Sequence, residues 1–134
     1  MAELYQFSLR TSARCEFVNI DAAVQKAVGA SGVSEGVCVV FVPHTTAAVT
    51  INENADPDVR RDIIAELEKV IPFADNYQHS EGNAAAHIKA SLLGPSVTVI
   101  VQGGRLQLGT WQSLFFCEFD GPRTRQVWVK VIPG

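Results

Sequence analysis

Residues 36–54, G-V-C-V-V-F-V-P-H-T-T-A-A-V-T-I-N-E-N, constrain this chain more than any other stretch. Val37 to Val42 is an unbroken apolar run, and such a run reads as a strand buried on both faces. Pro43 has no amide proton to give a sheet, so the strand interior stops there. His44, Thr45 and Thr46 follow at once. A second extended segment runs from Ala47 to Ile51, with Ala47, Val49 and Ile51 on one face. Thr46, Ala48, Thr50 and Asn52 lie on the other, with His44 in phase if Pro43 does not break the count. Asn52-Glu53-Asn54 ends the segment. A sheet interior thus delivers an imidazole, hydroxyls, amides and a carboxylate to one rim.

A chain of 134 residues is one domain, 1–134, and its 47% hydrophobic content is enough for a core and too much for disorder. The charged fraction of 19% is low, which points to surface covered in an oligomer. A net charge of −3 with no basic stretch argues against a nucleic-acid partner. No apolar run is long enough to cross a bilayer, and the first residues lack the basic start and apolar core of a signal peptide. Cys15, Cys38 and Cys117 are far apart and each lies among apolar residues, so free buried thiols in a reducing cytoplasm are expected.

Leu4 to Arg10 alternates as a half-buried strand, and Cys15 to Ile20 is expected to pair with it. Asp21 is a suitable N-cap for a helix over Ala22–Val28. Asp56-Pro57-Asp58 starts the main helix: Asp56 caps, Pro57 suits the first position and Asp58 complements the dipole. Its apolar stripe runs from Val59 to Ile71, and the face bearing Arg60, Glu66, Glu68 and Lys69 reads as solvated. After a polar loop, a third helix runs from Asn83 to Leu93 and stops at Gly94-Pro95. The rest is strands: Val97 to Gln102, a Gly103-Gly104 hairpin, a return strand from Arg105 to Asp120 interrupted at Gly109, and a closing strand from Gln126. The pattern predicts an α+β fold: mainly antiparallel sheets forming a sandwich-like core, with three helices packed outside.

Three histidines sit in polar contexts: His44 at a strand end, His79 in the loop and His87 early in the third helix. Three neutral imidazoles with an open position suit zinc, though unrelated hydrogen-bonded histidines would look the same in sequence. Glu53 or Glu81 could orient an imidazole or take a proton. Gly82-Asn83 at the helix start is a candidate anion seat; the plainer reading is a helix cap. Gly109 inside a strand marks a bulge that Thr110, Trp111 and Gln112 would line, although Trp111 also reads as a core aromatic. Arg123 and Arg125 either bind a phosphate or pair with Glu118 and Asp120. No Walker-type loop, C-x-x-C, G-x-G-x-x-G or G-x-S-x-G is present.

H-T-T-A-A-V-T-I-N-E-N-A-D-P-D-V at 44–59, H-S-E-G-N-A-A-A-H-I at 79–88 and G-R-L-Q-L-G-T-W-Q at 104–112 resemble the YjbQ-like family, as does the closing E-F-D-G-P-R-T-R. The resemblance implies a homotrimer with sites near subunit interfaces, and a divalent metal or an oxyanion close to His44, His79 and His87. It also implies a secondary thiamine-phosphate synthase activity, joining a pyrimidine-methyl diphosphate to a thiazole phosphate with release of pyrophosphate. In that reaction a metal and Arg123 would stabilise the leaving group, and Trp111 would stack on the developing cation. The candidate catalytic groups are then Glu53, Glu81, Trp111 and Gln112. Thr45, Thr46, Asn52, Gly82, Asn83, Gly109, Thr110 and Arg123 are the candidate substrate- or anion-binding set. Imidazole ligands favour zinc over magnesium, whereas diphosphate departure usually employs magnesium, so a zinc-dependent hydrolase and a non-catalytic ligand-binding trimer stand beside the transferase.

Overall fold

The computed structural model describes residues 3–134. Among these residues eight strands and three helices follow in the order β1 (Leu4–Arg10), β2 (Glu16–Asn19), α1 (Asp21–Ser31), β3 (Glu35–Phe41), β4 (Ala47–Glu53), α2 (Pro57–Val70), α3 (Ala84–Leu93), β5 (Ser96–Gln102), β6 (Arg105–Leu106), β7 (Gln112–Glu118) and β8 (Thr124–Pro133). They form two antiparallel sheets, a five-stranded one in the order β1-β8-β3-β5-β6 and a three-stranded one in the order β2-β7-β4. The α+β expectation is met.

The two sheets face each other across one apolar interior. Cys38, Val40, Val99, Val127 and Val129 enter it from the five-stranded sheet, and Ala47, Val49, Leu114 and Phe116 from the three-stranded one. Val24 and Val28 of α1 join this interior. The opposite face of the three-stranded sheet carries Ala48, Phe115 and Cys117, packed on Ala86 and Ala90 of α3 with Ile63, Ile64 and Leu67 of α2 against them. Both faces of β7 are therefore covered, and Ser113 to Phe119 are all buried.

β3 differs from its sequence reading. Cys38, Val40 and Val42 are buried, but Val37 and Val39 are only half-buried and Phe41 is exposed. The two-sided apolar run fills the interior with one face and leaves the other on the open side of the five-stranded sheet. Phe41 stacks there on Trp128, ring centroids 5.8 Å apart. Ile100 and Ile132 are exposed on the same side.

Three further expectations are corrected. β2 pairs with β7, register Glu16↔Glu118 to Asn19↔Phe115, rather than with β1, because Phe17 belongs against Phe115 and Phe119 on the helix side. Asp21 is the first helical residue, not the cap, and its carboxylate accepts the Leu114 N–H at 2.7 Å. The return strand is two strands in different sheets. Arg105–Leu106 closes the hairpin on β5 across Gly103 and Gly104, whose φ of +59° and +72° the two-residue turn requires. The chain then crosses to the other sheet over residues 107–111.

The main helix follows its signals. Asp56 accepts the Asp58 N–H at 2.9 Å and Pro57 opens the helix. One residue of the face read as solvated is not free: Glu68 pairs with the buried Lys89 of α3 and accepts from Cys15 Sγ at 3.2 Å. The three cysteines are free thiols; Cys38 and Cys117 are buried and Cys15 is half-buried. Burial pushes the Cys38 thiol up to about 11; burial and then the Glu68 bond do the same for Cys15.

Candidate functional site

The apolar interior between the sheets ends in charge at the His44 end. Glu118 and Arg125 alternate in phase with the core residues of β7 and β8, so their side chains enter the space between the sheets. Both are buried. Arg125 donates from Nε to Glu118 Oε1 at 2.9 Å and from Nη2 to Glu118 Oε2, and it reaches Thr46 Oγ1 at 2.9 Å. Glu118 also accepts from Thr11 Oγ1 at 2.7 Å and from the Asp120 N–H at 3.0 Å. Burial alone would raise this carboxyl, but the Arg125, Asp120 and Thr11 hydrogen bonds outweigh it and hold Glu118 below the ordinary value. Both carboxylate oxygens of Glu118 and the Nε and Nη2 of Arg125 are engaged, the kind of pairing under which buried charge is tolerated.

Arg125, the arginine of this anchored pair, is one wall of a cavity of about 500 Å³ lined also by His44, Thr45, Thr46, Pro95 and Arg123 among others, with no carboxylate in its lining. Arg123 is exposed. It donates from Nε to the Asp120 carbonyl at 2.9 Å and from Nη2 to Asp120 Oδ2 at 3.1 Å, and its Nη1 has no partner among the described residues. Of the two readings of this arginine pair, Arg125 takes the internal ion pair, and Arg123 is left half-engaged at the cavity.

His44 leaves the end of β3 after Pro43, and its Nε2 accepts the Gln126 N–H at 2.9 Å. Burial, and after it the Arg125 charge, lowers its basicity below the usual 6.5, so the ring is neutral at pH 7. A second cavity of about 300 Å³ continues past His44, Thr45 and Pro95 to Ala47, Ala90, His87 and Ser91. A third, about 320 Å³, is bounded by His87, His79, Ala84 and Ile88. The first two cavities share His44, Thr45 and Pro95 as walls and the last two share His87, and this adjoining series, the trough, has an arginine end and an apolar end.

His79 and His87 meet edge to face, ring centroids 5.3 Å apart, and Glu81 Oε2 is 4.0 Å from His79 Nε2. Gly82 turns the chain into α3 with φ +83°. Asn83 stands at the N-cap position, but its side chain does not cap. Its Nδ2 instead donates to Asp120 Oδ2 at 2.9 Å, the same oxygen that Arg123 uses, and its Oδ1 is buried without a partner. Among the described residues no group of three or more His, Cys, Asp or Glu is placed to hold a metal ion. The single chain supplies two adjoining imidazoles rather than the three that the zinc expectation needs, and the lone pair on His44 Nε2 is already engaged.

The remaining candidates are elsewhere. Asn52 and Glu53 lie at the far end of β4, and Glu53 pairs in register with Gln112. That end is about 20 Å from Ala47 at about 3.4 Å per residue. Gly109 is not a strand bulge but part of the turn between β6 and β7: its N–H donates to Gln112 Oε1 at 2.7 Å. Trp111 is 62% exposed and outside the core, it is not a wall of the trough, and Thr110 is exposed beside it. What the sequence reading missed are Pro95, Ala90 and Ser91 as trough walls and Asp120 as the hub joining Asn83 to Arg123. The only local sign of them was the clustering of charges at 118–125.

The family model described as UPF0047 protein YjbQ-like matches residues 5–134. The chain belongs to this family. It is 50% identical over 129 residues to a UPF0047 protein of Methanocaldococcus jannaschii, covering 96% of this chain and 94% of that one. It is 45% identical over 130 residues to YugU of Bacillus subtilis, covering 96% and 98%. Among solved structures, an uncharacterised member of the family from Clostridium acetobutylicum superposes with a TM-score of 0.94 at 58% identity, covering 96% of this chain and 99% of that one. A YbjQ-like protein of unknown function from Sulfolobus solfataricus gives 0.95 at 31% identity, covering 100% and 99%. The fold is therefore kept across bacterial and archaeal members of the family, and these names assign no reaction. Among the described residues no helix is long and apolar enough to cross a membrane.

Proposed function

We propose that the trough binds a small phosphorylated molecule or another oxyanion, with the charged group at Arg123 and the rest of the molecule along His44, Ala90 and His87. The observation that carries this reading is a cavity lined by two arginines and no carboxylate in a chain whose net charge is −3. Arg125 is neutralised by Glu118 and supplies a fixed wall, while Arg123 keeps free donors, and a guanidinium fork suits a phosphate's oxygens. Thr46 Oγ1 accepts from Arg125, so its own proton is free to be given elsewhere. Calorimetric titration with inorganic phosphate and pyrophosphate at low salt tests the reading. Saturable binding that Arg123→Ala weakens about tenfold or more is expected, and absence of binding to the unaltered protein sinks the reading.

The finer proposal is the thiamine-phosphate-forming transfer. The trough's arginine end suits a departing pyrophosphate, and its apolar end suits a ring. Product analysis with the pyrimidine-methyl diphosphate and the thiazole phosphate checks it. Phosphate binding without turnover would leave a ligand-binding protein. A homotrimer is proposed alongside, supported by the exposed apolar side chains of Phe41, Ile100 and Ile132 on the open face of the five-stranded sheet. Light scattering should give three chain masses. A divalent ion, zinc before magnesium, is proposed only for the His79–His87 pair, which needs further ligands from outside the chain. Metal content of untagged protein tests this, and no step of the anion reading depends on it.

A further inference from the structure

We infer that His44 serves the trough as a hydrogen-bond donor of fixed tautomer, giving its Nδ1–H to an oxygen of the bound anion, and acts neither as a metal ligand nor as a base. The inference rests on the anion-binding reading above and deepens it by assigning the proton. The Gln126 N–H is directed at His44 Nε2 at 2.9 Å, and an N–H donor requires a lone pair at that nitrogen. A neutral imidazole has one lone pair and one N–H, so the proton is on Nδ1. Gln126 is held by the β1–β8 ladder, register Ser8↔Gln126, so its amide is a rigid donor that cannot turn away.

His44 Nδ1 has no hydrogen-bond partner among the described residues, yet it is not among the buried atoms left unpaired, so it reaches solvent. The residue lines both the arginine cavity and the one that continues to His87. A neutral donor at that place complements Arg123: it contacts an oxyanion without adding a charge beside Arg125, which already has Glu118. The low basicity of His44 agrees with this state, since burial and Arg125 both oppose a second proton on the ring.

The tautomer is read directly from long-range ¹⁵N–¹H correlation of the imidazoles in the unaltered protein at neutral pH. Pyrrole-type Nδ1 and pyridine-type Nε2 are expected for His44; the reverse tautomer, or an imidazolium, overturns the inference. The role is read by phosphate titration of three variants whose folding is checked by circular dichroism. His44→Asn puts an amide N–H where Nδ1 stands and should hold phosphate within about threefold of the unaltered protein. His44→Gln puts its polar end at the Nε2 position, and it should bind as weakly as His44→Ala, about tenfold or more below, the size expected of one hydrogen bond to a charged group. Equal losses in the Asn, Gln and Ala variants would overturn the donor role. If the unaltered protein binds no phosphate, the anion reading fails, while the spectrum still decides the tautomer.

Discussion

Polar residues flank β4 at both ends, and the two ends are held together differently. At the His44 end the partners are distant in sequence: Thr11 to Glu118, Thr46 to Arg125, Gln126 to His44 and Asn83 to Asp120. At the Glu53 end the side-chain bonds are local: Asn52 Oδ1 accepts the Glu53 N–H at 2.7 Å, and Gln112 Oε1 accepts the Gly109 N–H. The first arrangement draws on both sheets and on the start of α3. The second is turn chemistry that a short peptide segment can make. The difference separates a built cavity from a well-closed strand end, although both look equally polar in sequence.

The largest effect expected from breaking this contrast is at Glu118. Glu118→Ala leaves Arg125 buried and unpaired and should cost about 3–5 kcal/mol in urea denaturation. A loss below about 1 kcal/mol would mean that the ion pair is not buried in solution. Next is Arg123→Ala, whose side chain is exposed and whose removal should change stability by less than about 0.5 kcal/mol. Phosphate affinity should nevertheless fall about tenfold or more, since a charge-assisted contact is lost. Equal affinity in the variant would move the anion away from this rim.

Acid sharpens the comparison further. Glu118 is held below 4.5, so its ionised form is favoured by folding. That contribution is complete above the unfolded value and is lost as pH falls through the folded one. Stability of the unaltered protein should therefore drop on acidification below about 4.5, and Glu118→Gln should start lower and fall less steeply. Parallel curves for the two proteins would remove Glu118 from the acid transition.

The smallest effect belongs to the other end. Gln112→Ala removes one local hydrogen bond and should cost about 1 kcal/mol, with phosphate affinity unchanged. A loss of binding there would join the two ends of β4 functionally, as a subunit interface would.

The sequence by itself determined the local structure. Asp56-Pro57-Asp58 starts α2 because a cap and a fixed φ act within a few residues, and Gly103-Gly104 makes the hairpin because two positive φ angles are needed at adjacent positions. Alternation gave β1, β4 and β8, and the order of strand and helix signals along the chain gave the α+β architecture. His44, Thr46 and Arg123 were legible as candidates because polar groups at the end of apolar strands need partners. Which partners they have was decided only by tertiary structure. β2 looked ready to pair with β1, yet it pairs with β7, and the segment read as one return strand divides between two sheets at residues 107–111. Alternation fixes a strand's faces but not its neighbours, because backbone ladders are the same for every sequence and only the packing of side chains across sheets selects among them. Arg125 and Arg123 were indistinguishable two residues apart. The fold buries Arg125 against Glu118 because its side chain points between the sheets, and leaves Arg123 beyond the strand's start, at the mouth of the cavity.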